Sequence, residues 1–247
     1  MDLVPPPVDV RDGVEPVPGW DCAPQDCCGI AVDILRASTT LTVAWGNGIA
    51  RVVPLGTPAE AIALREMAPD VLACGERGGR RVPGFDLGNS PHEYVREKVA
   101  GKTLAFASTN GSWAMKAAGA YGRRWLGAFV NASSLLAALD GERFVRIVCG
   151  GRLGQPSSED TAFAGWLCGA LQARGAVLQG EGLRALRVAP RDADEVRAAV
   201  EGSDHAADLR ALGPDYARDI EFCAALDSLR GVHGWSAELT SAAPDAS

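Results

Sequence analysis

Residues 29–45 read GIAVDILRASTTLTVAW, and they predict a strand that passes through a short loop into a helix. The run 30–32 is short and wholly apolar, as a strand covered on both faces requires. Asp33 ends this run, and a helix is predicted over residues 38–45, before a segment that contains two glycines at 46–48. This strand–loop–helix unit indicates an α/β fold.

The same alternation continues along the chain. Further apolar runs predict strands at residues 49–55, 71–74, 102–107, 124–128 and 144–149. Helical patterns lie between them, and the helix predicted at 58–67 has Thr57 as its cap. Short apolar strands that alternate with helices predict a three-layer α/β/α fold with a largely parallel or mixed sheet. After Arg174 the sequence is Ala-rich and helical, and we expect this part to pack on the sheet or to cap it.

The two ends of the chain differ from its centre. Residues 1–28 contain a segment rich in Pro, Val and Asp and predict an N-terminal arm or an edge strand. Residues 29–235 predict the main domain, with a possible subdivision near residue 175. Residues 236–247 are mostly small and polar, and they predict a flexible tail.

Charge and composition narrow the classes of function. The net charge is −7 and no long basic run occurs, which argues against binding of nucleic acid. No apolar run reaches the roughly eighteen residues of a membrane span. The N-terminus also lacks the basic start and apolar core of a secretion signal, so we expect a cytoplasmic protein.

The seven cysteines are an odd number and do not resemble a disulfide framework. Three of them lie close together, but a zinc site would need a second pair of Cys or His ligands, and the chain has only three His. We therefore favour no zinc site and leave open the role of Cys22, Cys27 and Cys28. Three others stand in apolar contexts and are predicted to be buried: Cys149, Cys168 and Cys223.

Polar clusters follow several predicted strands, where ligands of open α/β sheets bind. In the first cluster, Asp33 could hold a metal and Arg36 could pair with a phosphate through two hydrogen bonds. Ser38 and Thr39 begin the following helix, whose free amides favour an anion. A plain helix cap beside a surface arginine is the alternative interpretation.

The second cluster is the long glycine-rich segment 75–91. Long loops in compact domains are usually functional or disordered, and Phe85 and Leu87 argue against disorder here. A purely structural loop is the alternative. The candidate site residues of this segment are Glu76, Arg77, Gly78, Gly79, Asp86, Asn89 and Ser90.

Two further clusters follow the strands at 102–107 and 144–149. Thr109, Asn110 and Gly111 offer a hydroxyl and amides to an oxyanion, although Asn-Gly is also an ordinary turn. The last cluster contains Arg152 and two acids at a helix start, where acids also complement the helix dipole. These acids, Glu159 and Asp160, are further candidates for metal ligands.

Several known chemistries lack their sequence patterns. A haloacid dehalogenase-type phosphatase needs a second acid two residues after its nucleophile, but Leu35 stands there after Asp33. Cys74 and Arg80 have the spacing of a cysteine phosphatase, yet the intervening Glu76 would repel both thiolate and phosphate. The nucleotide-binding Gly-Lys-Ser/Thr motif and the Gly-x-Ser-x-Gly elbow are absent.

Together these motifs resemble the 2-phosphosulfolactate phosphatase (ComB) family. The resemblance is carried by VDILRASTT at 32–40, GERGG at 75–79 and GFDLGNSP at 84–91, followed by TNG at 109–111 and SED at 158–160. The family commonly has ATTT where this chain has ASTT at 37–40, and both retain the hydroxyls. The resemblance implies a magnesium-dependent phosphatase with an α/β fold. The family's named member releases phosphate from 2-phosphosulfolactate during coenzyme M synthesis.

We therefore expect metal-assisted hydrolysis of a phosphate monoester of a small acidic metabolite. Asp33, Glu76 and Asp86 are the first candidates for Mg²⁺ ligands, and Arg36 and Arg77 would neutralise the anionic substrate. Asp33 could instead act as a nucleophile. The rival hypotheses are a non-catalytic protein that binds anionic metabolites and a structural partner that assembles through its C-terminal helices. A homodimer is compatible with the enzyme.

Overall fold

A computed structural model describes residues 2–4, 23–142 and 144–235. The strands are β1 Asp2–Val4, β2 Cys28–Val32, β3 Arg51–Pro54, β4 Val71–Arg77, β5 Arg80–Arg81, β6 Thr103–Ala107, β7 Arg123–Gly127, β8 Val145–Cys149 and β9 Gln179–Gly180. The α-helices are α1 Ala37–Gly46, α2 Pro58–Met67, α3 Arg96–Val99, α4 Gly111–Ala118, α5 Ala132–Ala138, α6 Ser158–Ala173, α7 Glu181–Ala185, α8 Ala193–Glu201, α9 Asp204–Leu212 and α10 Pro214–Cys223.

The described strands form two open sheets. One has the order β7-β2-β8-β1-β9 and is parallel throughout. The other has the order β3-β6-β4-β5, and β5 is its antiparallel strand. Val32 lies opposite both Gly127 and Cys149, so three strands of the first sheet end at the same level.

Alternation along the strands places helices on both faces of each sheet. Ile30 faces the apolar cluster that contains α6, whereas its neighbour Ala31 faces the cluster that contains α1 and α4. Phe106 of the second sheet packs in that same cluster with α1 and α4, and α2 covers the opposite face. The three-layer α/β/α prediction is confirmed, and the helices α1 and α4 form a layer shared by two sheets.

The segment after residue 74 differs from its prediction. β4 does not stop at residue 74 but continues to Arg77 and turns back into β5. Gly78 and Gly79 both have positive φ, which suits the two-residue turn of a hairpin. Residues 75–77 of the predicted loop, including Glu76, therefore belong to β4. The end of this segment forms a single 3₁₀ turn, Pro91–Glu93, before the short α3.

The terminal regions are described only in part. Asp2–Val4 lies between β8 and β9 in the first sheet, and β9 itself was not predicted. Residues 5–22, which include Cys22, and residues 236–247 lie outside the described residues. Val196, Val200 and Ile220 of the C-terminal helices pack in the same apolar cluster as Ile30.

The cysteine prediction holds for the three residues in apolar contexts. Cys149, Cys168 and Cys223 are buried, and Cys27 and Cys28 are buried as well. Among the described residues no helix has the length and apolar character needed to cross a bilayer.

Candidate active site

Loops from both sheets enclose a cavity of about 170 Å³ that is open to solvent. It lies beyond the carboxyl ends of β2, β6 and β8, where the predicted clusters are. The predicted site residues that line it are Asp33, Arg36, Glu76, Gly78, Gly79, Asn89, Thr109, Asn110 and Arg152. The lining side chains that the sequence did not reveal are Leu35, Leu153, His205, Asp208, Leu209 and Leu212.

Asp33 lies in the wall of this cavity and is 6% exposed. Its Oδ1 accepts a long hydrogen bond, 3.4 Å, from the Ala37 amide at the start of α1. The pKa of Asp33 is raised to about 6, mainly by burial; the charge of His205 opposes this rise and the Glu76 carboxylate adds to it. Because its carboxylate is weakly satisfied by protein groups, Asp33 is suited to bind a cation or to attack an electrophile.

Gly111 allows the start of α4 to lie against Asp33. A Cβ at this position would be 2.3 Å from the Ala37 Cβ and 2.8 Å from Asp33 Oδ2. Only a glycine therefore permits α1 and α4 to approach so closely here. Gly111 brings the amino terminus of α4 to the site without lining the cavity.

Glu76 and Asp160 each join two loops of the site. Glu76 accepts hydrogen bonds from the amides of Thr109, at 2.7 Å, and Gly79, at 2.8 Å. Asp160 accepts hydrogen bonds from Ile34 N at 2.8 Å and Gly151 N at 2.9 Å. Glu76 therefore connects the turn after β4 to the loop after β6, and Asp160 connects the loop after β2 to the loop after β8.

Arg36 enters the cavity wall from the loop after β2. Its Nη1 donates to Asp219 Oδ2 of α10 at 2.5 Å, and its Nη2 donates to the Gly79 carbonyl at 2.6 Å. The ring of Tyr216 lies 4.9 Å from the guanidinium carbon. The second Asp219 oxygen accepts a hydrogen bond from Ser90 Oγ at 2.6 Å. Asp219 therefore holds two predicted site residues in place.

His205 of α9 contributes an imidazole to the cavity. Its Nδ1 lies 3.0 Å from Oε1 of Glu159, which is 1% exposed. Burial alone would lower the pKa of His205, but the hydrogen bond with Glu159 and the charge of Asp33 raise it overall. A carboxylate that holds one imidazole nitrogen leaves the other nitrogen for proton transfer. Glu159 therefore holds the imidazole of His205 and does not itself line the cavity.

α9 presents one stripe of side chains to the cavity. His205, Asp208, Leu209 and Leu212 follow the spacing of one helix face, and all four line the cavity. The sequence shows that spacing, but it does not show which element the face meets.

Two predicted residues, Asp86 and Arg77, contact loop backbone or protein side chains rather than lining the cavity. Asp86 accepts a hydrogen bond from the Ala73 amide at 2.8 Å and lies 3.7 Å from Arg65. Arg77 donates to the carbonyls of Glu76 and Gly56 at 2.7 and 2.8 Å. The metal-ligand prediction for Asp86 gains no support from this placement.

The hydroxyls predicted to bind phosphate hold the loop after β2 in shape. Ser38 Oγ accepts a hydrogen bond from the Asp33 amide, and Thr39 Oγ1 donates to the Ile34 carbonyl at 3.2 Å. Both side chains are buried. They position Asp33 and Arg36 without lining the cavity.

The oxygen atoms of the cavity fit a magnesium ion. Among the described residues, no three His, Cys, Asp or Glu side chains are grouped to hold a metal. Magnesium, however, is usually bound by one or two carboxylates together with substrate phosphates and water. Asp33 and Glu76 line the cavity, and Oδ1 of the buried Asn89 has no hydrogen-bond partner within the described structure. These three side chains supply hard oxygen donors.

The cysteine-phosphatase alternative does not agree with the structure. Cys74 is fully buried, and burial raises the pKa of its thiol above the ordinary value. Arg80 lies exposed on β5. A buried, protonated thiol is a poor nucleophile.

Comparisons with known proteins agree with the sequence motifs. A family model described as 2-phosphosulpholactate phosphatase matches residues 19–237. A protein of Thermotoga petrophila named probable 2-phosphosulfolactate phosphatase is 34% identical over 213 residues, covering 85% of this chain and 90% of the relative. A relative of the same name from Deinococcus radiodurans is 36% identical over 206 residues, covering 81% and 84%. One from Clostridium acetobutylicum is 29% identical over 206 residues, covering 82% and 87%.

Proposed function

The chain belongs to the 2-phosphosulpholactate phosphatase family, a family of phosphoric monoester hydrolases, and on this premise we propose that it hydrolyses 2-phosphosulfolactate to sulfolactate and phosphate with the help of Mg²⁺. One observation carries the proposal. Asp33, Arg36 and His205 all line one cavity of about 170 Å³. A nucleophile or base, an anion-binding group and an acid are the parts that hydrolysis of a phosphate monoester needs.

The cavity combines groups that attract and repel a phosphate. Arg36 and the amides at the start of α4, near Asn110, attract phosphate oxygens. Asp33 and Glu76 would repel them, which is the reason to include a cation. Asp33, Glu76 and Asn89 would hold Mg²⁺, which supplies charge neutralisation and polarisation of the phosphoryl group.

Asp33 and His205 would carry out the proton and bond changes. In one route Asp33 takes a proton from the attacking water as the water oxygen bonds to phosphorus. In the other route Asp33 bonds to phosphorus itself, and water later hydrolyses the aspartyl-phosphate. In both routes the ester P–O bond breaks, and the imidazolium of His205 gives its proton to the leaving alkoxide. Glu159 keeps the imidazole in orientation.

The configuration at phosphorus would distinguish these two routes. With a substrate whose phosphorothioate group is chiral through oxygen isotopes, direct attack by water inverts the configuration. Formation and hydrolysis of an aspartyl-phosphate are two displacements at phosphorus, and together they retain it.

Phosphate release tests the proposal. The full chain is incubated with 2-phosphosulfolactate and with an aryl phosphate, in the presence of Mg²⁺ or of a chelator. We expect release with Mg²⁺ and its loss with the chelator. Binding of 2-phosphosulfolactate without release would instead support the rival hypothesis of a non-catalytic anion-binding protein. A role in coenzyme M synthesis, a cytoplasmic location and a homodimer stay predictions.

A further inference from the structure

Arg152 stands in a tightly closed loop beside the cavity. Its amide and carbonyl pair with the carbonyl and amide of Gln155 at 2.8 and 2.9 Å. Gly150, two residues earlier, lies so close to Asp33 that an added Cβ would be 3.3 Å from the Asp33 Cβ. The loop therefore fixes Arg152 two residues along the chain from Gly150, which lies against Asp33 of the proposed reaction centre.

The ion pair of Arg152 differs from that of Arg36. Arg152 donates from Nε, at 2.7 Å, and from Nη2 to the same oxygen of Asp208. Asp208 is 57% exposed and Arg152 is 28% exposed, whereas both partners in the Arg36–Asp219 pair are 3% exposed. Exposed ion pairs are weak because water screens them. A ligand anion can therefore replace Asp208 at small cost, but it cannot readily replace Asp219.

The surroundings of Arg152 favour an anion over a neutral group. Leu153, Leu209 and Leu212 also line the cavity and offer no side-chain hydrogen bonds. A substrate bound against them would exclude water, so its ion pair with Arg152 would be screened less than the exposed pair with Asp208. A planar guanidinium also matches the geometry of a carboxylate, and it can offer two hydrogen bonds to a sulfonate.

We propose that Arg152 is the specificity residue that binds a carboxylate or sulfonate which the substrate carries in addition to its phosphate. Asp208 pairs with the Arg152 guanidinium while the site is empty, and the acidic group of the substrate replaces Asp208 when the substrate binds. This inference rests on the proposed phosphatase function. It predicts that the chain prefers phosphate monoesters with a nearby carboxylate or sulfonate over simple alkyl phosphates.

The substitution Arg152→Gln tests the assignment with two substrates. 2-Phosphosulfolactate carries the additional acidic groups, and isopropyl phosphate carries none. We expect KM for 2-phosphosulfolactate to rise about 10- to 100-fold with kcat changed less than about threefold. For isopropyl phosphate we expect kcat/KM to change less than about threefold. Arg152→Lys keeps the charge and should lie between the wild type and Arg152→Gln.

Arg174→Gln is the matched control, because Arg174 also forms an exposed ion pair, with Asp140. It should leave the kinetic constants for both substrates unchanged. Asp208→Asn removes the competing anion and should lower KM for 2-phosphosulfolactate by about two- to fivefold. A rise in KM would show that Asp208 is needed to position Arg152 and would overturn the exchange of partners.

Equal losses for both substrates in Arg152→Gln, or no loss for either, would overturn the specificity assignment. Calorimetric binding of sulfolactate to the wild type and to Arg152→Gln gives a readout that needs no turnover. Weaker binding by about tenfold or more in the variant supports the assignment even if the wild type hydrolyses neither ester, a result that would reject only the phosphatase proposal. Equal binding of sulfolactate would reject the assignment.

Discussion

The Arg36 guanidinium and the Asp219 carboxylate form a buried ion pair, with 2.5 Å between Nη1 and Oδ2, although 183 positions separate them in the sequence. Ser90 donates to the other Asp219 oxygen at 2.6 Å. α10 is thereby connected to the loop after β2 and to the loop that contains Ser90. The C-terminal helices are part of the site, since α9 supplies His205 and α10 supplies Asp219.

We predict that Asp219→Ala destabilises the fold strongly. The substitution would leave the Arg36 charge buried without its counterion, which costs about 3–5 kcal/mol. Asp140→Ala is the control, because Asp140 is 76% exposed in its ion pair with Arg174 and should contribute no more than about 1 kcal/mol. Urea unfolding measures both values, and equal losses for the two variants would contradict the prediction.

A second prediction concerns how the raised pKa of Asp33 makes the free energy of unfolding depend on pH. Its pKa is about 6 in the folded chain, against about 3.9 in an unfolded chain. The unfolded state therefore loses this proton first, so the free energy of unfolding falls as pH rises from about 4 to about 6. The total fall is about 3 kcal/mol, at 1.36 kcal/mol per pKa unit.

Asp33→Asn does not titrate and should escape this loss. With a chelator present, we expect the variant to gain stability relative to the wild type between about pH 4 and pH 6, and to keep that gain at pH 7. Urea unfolding of both proteins across this range measures the difference. Parallel stability curves for the two proteins would show that Asp33 has an ordinary pKa.

Leaving-group dependence tests the acid role of His205. For an alkyl phosphate we expect His205→Gln to lower kcat by about 100-fold or more, because the alkoxide needs a proton. For 4-nitrophenyl phosphate, whose leaving group needs no proton, the loss should be below about tenfold. His233→Gln is the control, since His233 stacks on Trp45 with ring centroids 5.7 Å apart and does not line the cavity. Equal losses of kcat on both esters would argue against proton donation by His205.

Close packing of α1 and α4 leads to a fourth prediction. In Gly111→Ala the new methyl group would lie 2.3 Å from the Ala37 Cβ, so α4 must move away from Asp33. We expect a loss of about 1–3 kcal/mol in the free energy of unfolding together with reduced kcat/KM. Gly46→Ala is the control, because an added Cβ at Gly46 would meet nothing within 4 Å. An active and fully stable Gly111→Ala variant would show that the helices can separate.

The local parts of this fold could be predicted from the sequence. β2 and α1 follow from an apolar run and a helical pattern that stand next to each other. Thr57 was predicted to cap α2, and the structure has a full capping box in which Glu60 completes the pair. β9 has two residues, too few for any periodicity to show, and it exists through pairing with β1.

The site could be predicted only as far as its loops follow strands. Asp33, Glu76 and Asn110 were found because parallel strands bring their carboxyl ends together. His205 and Asp219 were missed because their roles depend on how helices distant in sequence pack against the sheet. Asp86 looked like a metal ligand, but its carboxylate accepts the Ala73 amide, a contact that sequence spacing does not reveal.

The central claim is that Asp33, which lines the cavity, is required for hydrolysis. The most direct test compares substitutions of two carboxylates, one that lines the cavity and one that does not. Phosphate release from 2-phosphosulfolactate with Mg²⁺ is measured for the wild type, Asp33→Asn and Asp86→Asn. We predict that Asp33→Asn loses at least about 100-fold in kcat, whereas Asp86→Asn, outside the cavity, stays within about threefold of the wild type. Near-normal turnover in Asp33→Asn would contradict the account.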